Sequence, residues 1–357
     1  MPQSSALAGC KDWRNRWRQG RFKAVPLPAA PLIPEAAISP AAASPRDGVS
    51  EGAHHSIHVI LNASAGTAAA DPVGFEDRLG EAFRTAGVAA SIELVRGDEI
   101  VASARRATDA ARRGAIGAIV VGGGDGTIHT IAGMVAGSDI PVGILPLGTL
   151  NHFARDVGVP LDLGEAVAAI AAGHSRAIDV GEVNGTVFVN NSSVGIYPNM
   201  VVDRERLRDR HRHQKWIAMA IAFLRVLHRF PLRRLRVRAG DKVANYRTPC
   251  LFVGNNRYDL RFLSVGRREA LDEGLLHVYV ARSSTPWGFV WFAVRTLLGM
   301  AKRTNNLDEL AVRDAEITTP GRQLFVALDG EVQRLRTPLH YRTRPRALRV
   351  LLLRDSR

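Results

Sequence analysis

The sequence has 357 residues, with 48 Lys or Arg against 34 Asp or Glu, and its formal net charge is +14. This length predicts two domains, and the charge favours acidic partners such as phosphorylated substrates, anionic lipid or nucleic acid. The two cysteines, Cys10 and Cys250, are too few for a disulfide framework and match no metal-binding spacing. No apolar run reaches the roughly 18–20 residues of a membrane-spanning helix, so a cytoplasmic protein is expected.

The first part of the chain alternates strand and helix patterns after an Ala/Pro-rich segment. Residues 1–55 are predicted to be a flexible tail. Strands are predicted at 57–61, 89–95, 116–121 and 142–145, with helices between them, which is typical of a parallel α/β layer. In such a layer ligands bind at the carboxyl ends of the strands. We therefore expect the loops after Leu61, Val121 and Leu145 to meet at one site, within a domain covering residues 56–176.

A glycine-rich turn follows the third predicted strand. Residues 122–127 read Gly-Gly-Gly-Asp-Gly-Thr, and apolar residues then recur at helical spacing. Free N–H groups at a helix start favour phosphate, although neither the Walker nor the Rossmann spacing is present. Asp125 beside phosphates favours phosphoryl transfer over passive binding, because a carboxylate there needs a cation or a proton in transit. The alternative is a tight turn whose Asp caps the helix.

Two segments resemble a known family. Residues 123–127, Gly-Gly-Asp-Gly-Thr, are similar to the signature of the diacylglycerol kinase catalytic-domain family, the sphingosine and ceramide kinases and the NAD kinases. Residues 143–155, GILPLGTLNHFAR, resemble the "LPLGTANDFAR" stretch of the lipid kinases. The second segment favours the lipid kinases over the NAD kinases. The resemblance runs from about residue 57 to the C-terminus.

The resemblance implies an ATP site built from three loops. The first is similar to the family's "NPxSG" loop, with Ala63 in place of proline. Three further departures are Glu93 at a usual Thr, His129 at a usual Asn and His152 at a usual Asp. We expect His129 to make the loop contact of that Asn and assign it no proton-transfer role. The implied nucleotide-binding residues are Asn62, Ala63, Ser64, Ala65, Gly66, Gly123, Gly124, Asp125, Gly126, Thr127, Ile128, His129 and Thr149.

The second part of the chain has a different pattern. Residues 177–183 and 187–191 flank Asn184-Gly185, which predicts a hairpin. Further short strands are predicted at 235–239, 248–253, 276–281, 311–317, 324–328 and 348–353. Many short strands separated by turns indicate a β-sandwich. We predict that residues 177–357 form this second domain, which the resemblance assigns to lipid binding.

A possible cation site lies in residues 270–276, Ala-Leu-Asp-Glu-Gly-Leu-Leu, which resemble the family's "DDGLLD" stretch. The resemblance implies a structural Mg²⁺ held by the Glu273 side chain and the carbonyl groups of Ala270 and Leu275, since hard cations bind oxygen ligands. The alternative is an acidic turn without metal.

Asp329-Gly330-Glu331 ends an apolar strand and resembles the family's catalytic "DGE" motif. A carboxylate beside a lipid hydroxyl can accept its proton during attack. We favour Asp329 as the base with Glu331 as its partner, the reverse being open, and Asp125 acting on metal or nucleophile. The alternative is a simple turn, because Asp-Gly is also a hairpin signal.

Two apolar segments, 216–230 and 287–300, are flanked by basic residues. This pattern is typical of helices that bind an anionic membrane surface, and core helices with solvated Arg faces are the alternative. No nucleic-acid recognition motif is present. We expect a peripheral protein at the inner face of the membrane, and a homodimer is left open.

The resemblance implies an ATP- and Mg²⁺-dependent lipid kinase, with diacylglycerol as the expected acceptor and phosphatidic acid as the product. Three alternatives remain at this point. They are a kinase for sphingoid bases or other long-chain alcohols, an NAD kinase-like enzyme, and a catalytically silent membrane-binding protein.

Overall fold

The computed structural model describes residues 56–69, 71–198, 230, 232–258, 268, 270–282, 285–288, 290–291 and 307–353. The predicted tail 1–55 and most of the two apolar segments at 216–230 and 287–300 lie outside the described residues. Among the described residues, none of the helices has the length and apolar character that a bilayer crossing requires.

The N-terminal layer is a parallel sheet covered by helices, as predicted. Its strands pair in the order β2-β1-β3-β4, and every pairing between them is parallel. The strands are β1 (Ser56–Asn62), β2 (Ala89–Val95), β3 (Ala118–Gly123) and β4 (Pro141–Pro146). The helices are α1 (Pro72–Thr85), α2 (Ile100–Arg112), α3 (Asp125–Val135), α4 (His152–Val157) and α5 (Leu163–Ala171), with a 3₁₀ turn at Gly66–Ala69.

The rest of the described chain is mostly strand. The predicted hairpin is present, because β5 and β6 pair antiparallel across Asn184 and Gly185, both of which have positive φ. The strands are β5 (Ser175–Val183), β6 (Thr186–Phe188), β7 (Asn191–Gly195), β8 (Arg233–Ala239), β9 (Lys242–Thr248), β10 (Cys250–Asn255), β11 (Leu276–Ala281), β12 (Leu307–Val312), β13 (Asp314–Thr318), β14 (Gln323–Leu328), β15 (Glu331–Arg336) and β16 (Leu339–Leu351).

Two sheets form the predicted sandwich. The second sheet is antiparallel, with strand order β12-β11-β10-β7-β14-β15. Its inner face, including Val253 and Val278, shares a hydrophobic core with Leu235 and Tyr341 of the other sheet. The predicted α/β layer followed by a β-sandwich is therefore confirmed as the fold class.

The last strand joins the two layers, which the sequence did not predict. One end of β16 pairs antiparallel with β13, and its other end pairs parallel with β4 at Arg349 and Val350. The first sheet thus runs without interruption as β2-β1-β3-β4-β16-β13-β8-β9, with β5 also on β16. The sequence predicts only residues 348–353 of this strand, because the polar run Arg-Thr-Arg-Pro-Arg at 342–346 lacks the apolar residues that indicate a strand. The pairing register with β5 also shifts near this run.

We predict that β16 is essential to the stability of the N-terminal layer. Leu348 is buried in the first core, so Leu348→Ala should cost about 2–5 kcal/mol of unfolding free energy. The matched variant Leu161→Ala, at a leucine that is 43% exposed, should change it by no more than about 0.5 kcal/mol. Urea unfolding of both variants measures the difference, and equal stabilities would contradict the assignment of β16 to this core.

Candidate active site

Three loops meet at the carboxyl edge of the parallel strands. Asn62 at the end of β1 donates from Nδ2 to Oγ1 of Thr127 in the glycine turn, at 3.1 Å. Gly66 has φ +43°, and a Cβ there would overlap the carbonyl oxygen of Leu147. A Cβ at Gly148 would similarly overlap Cα of Gly124. Glycine is therefore required at both points for the loop backbones to touch.

Asp125 connects the glycine turn to the third loop. It is the first residue of α3, yet its carboxylate accepts the backbone N–H groups of His152 (3.2 Å) and Phe153 (3.0 Å) at the start of α4. The capping alternative raised from the sequence is therefore present, but the capped helix is the next one along the chain. Asp125 is half-buried, so the side chain that fixes this loop also keeps some exposure at the edge where the three loops meet.

The Asp-Gly-Glu turn lies against the glycine turn. Asp329 and Gly330 have positive φ and form the two-residue connection between β14 and β15, so the turn is a hairpin as well as a candidate catalytic motif. The Asp329 carboxylate contacts Nδ1 of His129 at 2.6 Å. Glu331 Oε1 lies 2.7 Å from the position that a Cβ on Gly126 would occupy. The hairpin is thus brought to the start of α3 from 200 residues away along the chain.

The Asp329 carboxylate is buried and fully hydrogen-bonded. Its Oδ1 accepts the N–H groups of Asn190 (2.8 Å) and Asn191 (2.9 Å), and its Oδ2 accepts that of Val189 (2.8 Å) besides the His129 contact. Buried carboxylates are stable where donors of this kind surround them. The segment between β6 and β7 therefore wraps around this carboxylate and fixes its position.

The same segment is held from its other side by residues that the sequence did not single out. The Val189 carbonyl accepts from Arg268 (2.9 Å) and from Asn255 Nδ2 (2.9 Å). Arg268 also forms an ion pair with Asp156 of α4 at 3.0 Å, with both side chains at most 4% exposed. The sequence predicts a strand at 187–191, but these distant partners have no local signal in the sequence.

The pKa of the His129 side chain is raised by its surroundings. Burial lowers its pKa, but the hydrogen bond to Asp329 and the charges of Asp329 and Glu331 outweigh burial, and the pKa of His129 lies above its usual 6.5. The folded protein therefore favours the protonated ring more than the unfolded chain does.

The proposed cation ligands already have protein partners. The Leu275 carbonyl accepts the N–H of Asn256 at 3.0 Å, and Glu273 Oε2 lies 3.4 Å from Nε2 of His277. Over the part of the chain that the structure describes, no three Asp, Glu, His or Cys side chains are grouped to hold a metal. A site made of one carboxylate and two backbone carbonyls needs no such group of side chains, so the Mg²⁺ on Ala270, Glu273 and Leu275 stays a prediction.

One departure from the family pattern, Glu93, has a structural explanation. Glu93 lies in a polar cluster, in which its Oε2 accepts from Ser103 (2.6 Å) and lies 3.1 Å from His58 Nε2.

The predicted nucleotide-binding residues differ in exposure. Ser64 and Thr149 are exposed, whereas the side chain of Ile128 belongs to the core. Asn151, with φ +49°, donates to the carbonyls of Pro146 and Gly148 and so shapes the third loop. The nucleotide role of these loops stays a prediction.

We predict a stabilising effect of His129 that depends on pH. The folded-state pKa is higher than the unfolded value of about 6.5, so the stabilisation is complete below about pH 6.5 and is lost as pH rises through the folded pKa. His129→Asn should remove this component. Urea unfolding of both proteins on either side of pH 6.5 measures it, and the same pH dependence in variant and wild type would contradict it.

Part of the chain is similar to known proteins in sequence. Residues 56–183 match the family model "Diacylglycerol kinase catalytic domain". Over 97 residues the chain is 42% identical to "Probable lipid kinase YegS" of Escherichia coli O1:K1 / APEC, covering 26% of this chain and 32% of the relative. The protein of the same name from Shigella boydii serotype 18 gives the same values. The match thus spans about a third of the length of these curated relatives.

Solved structures extend the likeness beyond the matched domain. Two crystal structures from Bacillus anthracis str. Sterne each align over 86% of this chain and 100% of their own, with TM-scores of 0.67 and 0.62 at 20% and 18% identity. The second is described as a diacylglycerol kinase. At these identities the likeness establishes the fold alone. Residues 56–183 of this chain are therefore similar to the diacylglycerol kinase catalytic domain.

Proposed function

We propose that this protein is an ATP-dependent lipid kinase, which transfers the γ-phosphoryl group of ATP to a lipid hydroxyl. Diacylglycerol is the acceptor we favour, and phosphatidic acid would be the product. The observation that carries the proposal is the contact between the glycine turn and the Asp-Gly-Glu hairpin through His129 and Asp329. It puts carboxylate and imidazole chemistry beside a backbone suited to phosphate.

The nucleotide would lie along the three loops. Glycines at 66 and 148 let the three loops touch, and the N–H groups at the start of α3 would hold the phosphates. A pocket of about 480 Å³ adjoins the first and third loops, with Phe75, Leu163 and Arg78 in its wall. This volume is within the range of small-molecule sites, which supports an adjacent position for the base and ribose. ATP would be carried as its Mg²⁺ complex, in which the ion neutralises phosphate charge.

The acceptor would enter from the side of the β-sandwich. The Asp-Gly-Glu hairpin belongs to the second sheet, while the phosphate loops belong to the first. A hydroxyl held by the sandwich would therefore face a phosphate held by the α/β layer. Reaction at this junction needs both reactants aligned, which is the main contribution of a kinase to phosphoryl transfer.

The direct test is incubation of the full chain with labelled ATP and a total lipid extract, followed by mass identification of the phosphorylated product. Labelled phosphatidic acid supports the proposal as stated. A labelled sphingoid base or other alcohol would change the acceptor but keep the lipid kinase. Labelled NADP from added NAD, or no labelled product at all, would overturn it in favour of the corresponding alternative.

We predict that Asp125→Asn lowers turnover on the order of 10²-fold or more, because a preorganised charge at the phosphate loop is lost. Asn keeps one of the two oxygen acceptors that Asp125 supplies to the first turn of α4, so the variant should fold with reduced stability. Asp77→Asn, on α1 and exposed, is the matched control and should be as active as the wild type. Turnover is measured in the same lipid assay, and a near-normal rate for Asp125→Asn would remove this residue from the reaction.

A membrane surface is the partner that we propose for the protein. Trp287 and Trp291 lie four residues apart in a helical segment capped by Thr285, and they are 76% and 63% exposed. Residues at this spacing share one helix face. Tryptophans are favoured at the membrane–water interface, where the ring is buried and the N–H stays hydrated. The net charge of +14 favours anionic lipid.

We predict that Trp287→Ala and Trp291→Ala each weaken binding to phosphatidylglycerol-containing vesicles by roughly 10- to 100-fold, since burying an aromatic side chain stabilises by about 1.5–3 kcal/mol. Val73→Ala, at a valine that is 72% exposed on α1, is the control and should bind like the wild type. Vesicle sedimentation measures the partition. Wild-type partition in the tryptophan double variant would reject this surface as the membrane contact.

A further inference from the structure

The four acceptor positions of the Asp329 carboxylate are already in use. Two oxygens offer about four lone-pair sites, and three backbone N–H groups and His129 take them. The Asp329 side chain is also 0% exposed. A substrate hydroxyl could reach this carboxylate only by displacing one of these donors, so the geometry is poorly suited to direct proton acceptance by Asp329.

His129 is placed differently. An ionised carboxylate only accepts, so Nδ1 of His129 carries the proton in this contact. The lone pair of the neutral ring is then on Nε2, on the opposite side of the imidazole. Within the described part of the chain, Nε2 has no hydrogen-bond partner. The ring is thus oriented by a carboxylate while its basic nitrogen remains available, which is the arrangement that activates a general base.

The position of His129 in the cleft is suited to this role. It lies four residues after Asp125 on α3, so both side chains share the helix face that begins at the glycine turn. The hairpin with Asp329 and Glu331 closes over the same end of the helix, with Glu331 beside Gly126. The ring therefore lies where a phosphate on the glycine turn and a hydroxyl at the hairpin would meet.

We infer that His129 is the catalytic base of the proposed kinase reaction, and that Asp329 is its positioning residue. This inference rests on the proposed function, and it reverses the expectation from the sequence, which gave His129 no proton-transfer role. As the hydroxyl oxygen bonds to the γ-phosphorus, the bond from this phosphorus to the β–γ bridging oxygen breaks and ADP leaves. The hydroxyl proton passes to Nε2 of His129, and the resulting imidazolium is stabilised by Asp329 until it releases the proton to water.

The charged groups around the ring set the pH at which this base acts. Asp329 and Glu331 face His129 from the hairpin, and Asp125 lies on its own helix. The hairpin carboxylates raise its pKa above 6.5 against the effect of burial. A base must be unprotonated to act, so kcat should rise with pH along an acidic limb whose apparent pKa is above 6.5.

The decisive variant is His129→Asn. The side-chain nitrogen of Asn can take the position of Nδ1 and donate to Asp329, but Asn has no basic nitrogen in place of Nε2. We expect kcat to fall about 10²–10⁴-fold, as is typical for a lost general base, with loss of the acidic limb and unchanged ATP affinity. His340→Asn, at an exposed histidine near Glu316, is the matched control and should retain the rate and the pH profile of the wild type.

A second variant covers the case in which His129→Asn does not fold. Glu331 is exposed at the hairpin, and its charge raises the pKa of His129. Glu331→Gln should therefore shift the acidic limb of the kcat profile to lower pH, whatever the plateau rate. A purely structural histidine would give no such shift.

The outcomes separate this inference from the proposed function. Wild type that phosphorylates lipid, together with an active His129→Asn that keeps the acidic limb, or an unshifted limb in Glu331→Gln, overturns the base assignment and leaves the kinase intact. Wild type that phosphorylates no lipid overturns the kinase and the base with it.

Discussion

The buried carboxylate of Asp329 is the interaction on which the cleft depends. It binds three consecutive backbone N–H groups at 189–191 and the ring of His129, so it fixes the β6–β7 segment, the β14–β15 hairpin and the start of α3 relative to one another. Removing it would leave those N–H groups buried without acceptors, at about 1–3 kcal/mol for each. The Arg268–Asp156 pair braces the same segment against α4. A buried pair of this kind is a strong constraint on geometry, because the loss of one partner leaves an uncompensated charge.

A shared sheet makes this constraint effective over the whole molecule. Because β16 pairs with β4 at one end and with β13 at the other, the sandwich and the α/β layer cannot separate without disrupting the hydrogen-bonded pairing of this strand. The three loops at the carboxyl edge of the parallel strands and the Asp-Gly-Glu hairpin therefore face each other across a junction with a continuous backbone. Under the proposed function, holding two reactants close together at this junction would account for much of the rate enhancement.

Local patterns predicted much of the fold but little of the cleft. Apolar runs and glycine turns were enough for the strands of the parallel layer and for the Asn184-Gly185 hairpin, since each depends on neighbours in sequence. The length of β16 was missed because its arginines face solvent or carboxylates such as Glu182 rather than follow an apolar alternation. The environment of Asp329 comes from partners about 140 and 200 residues away. A sequence motif can indicate that a carboxylate is part of a functional site. The hydrogen-bond donors around that carboxylate decide whether it accepts a proton or positions another group.

The measurement that tests the central claim most directly is a structure of the full chain with a non-hydrolysable ATP analogue and a lipid alcohol. We predict that the γ-phosphate lies on the backbone of the glycine turn at 123–127, and that the lipid hydroxyl lies within hydrogen-bond reach of His129 Nε2, about 3 Å. Asp329 should keep its three backbone donors. A hydroxyl bound directly to Asp329 with His129 displaced, or phosphates bound away from the glycine turn, would contradict the account.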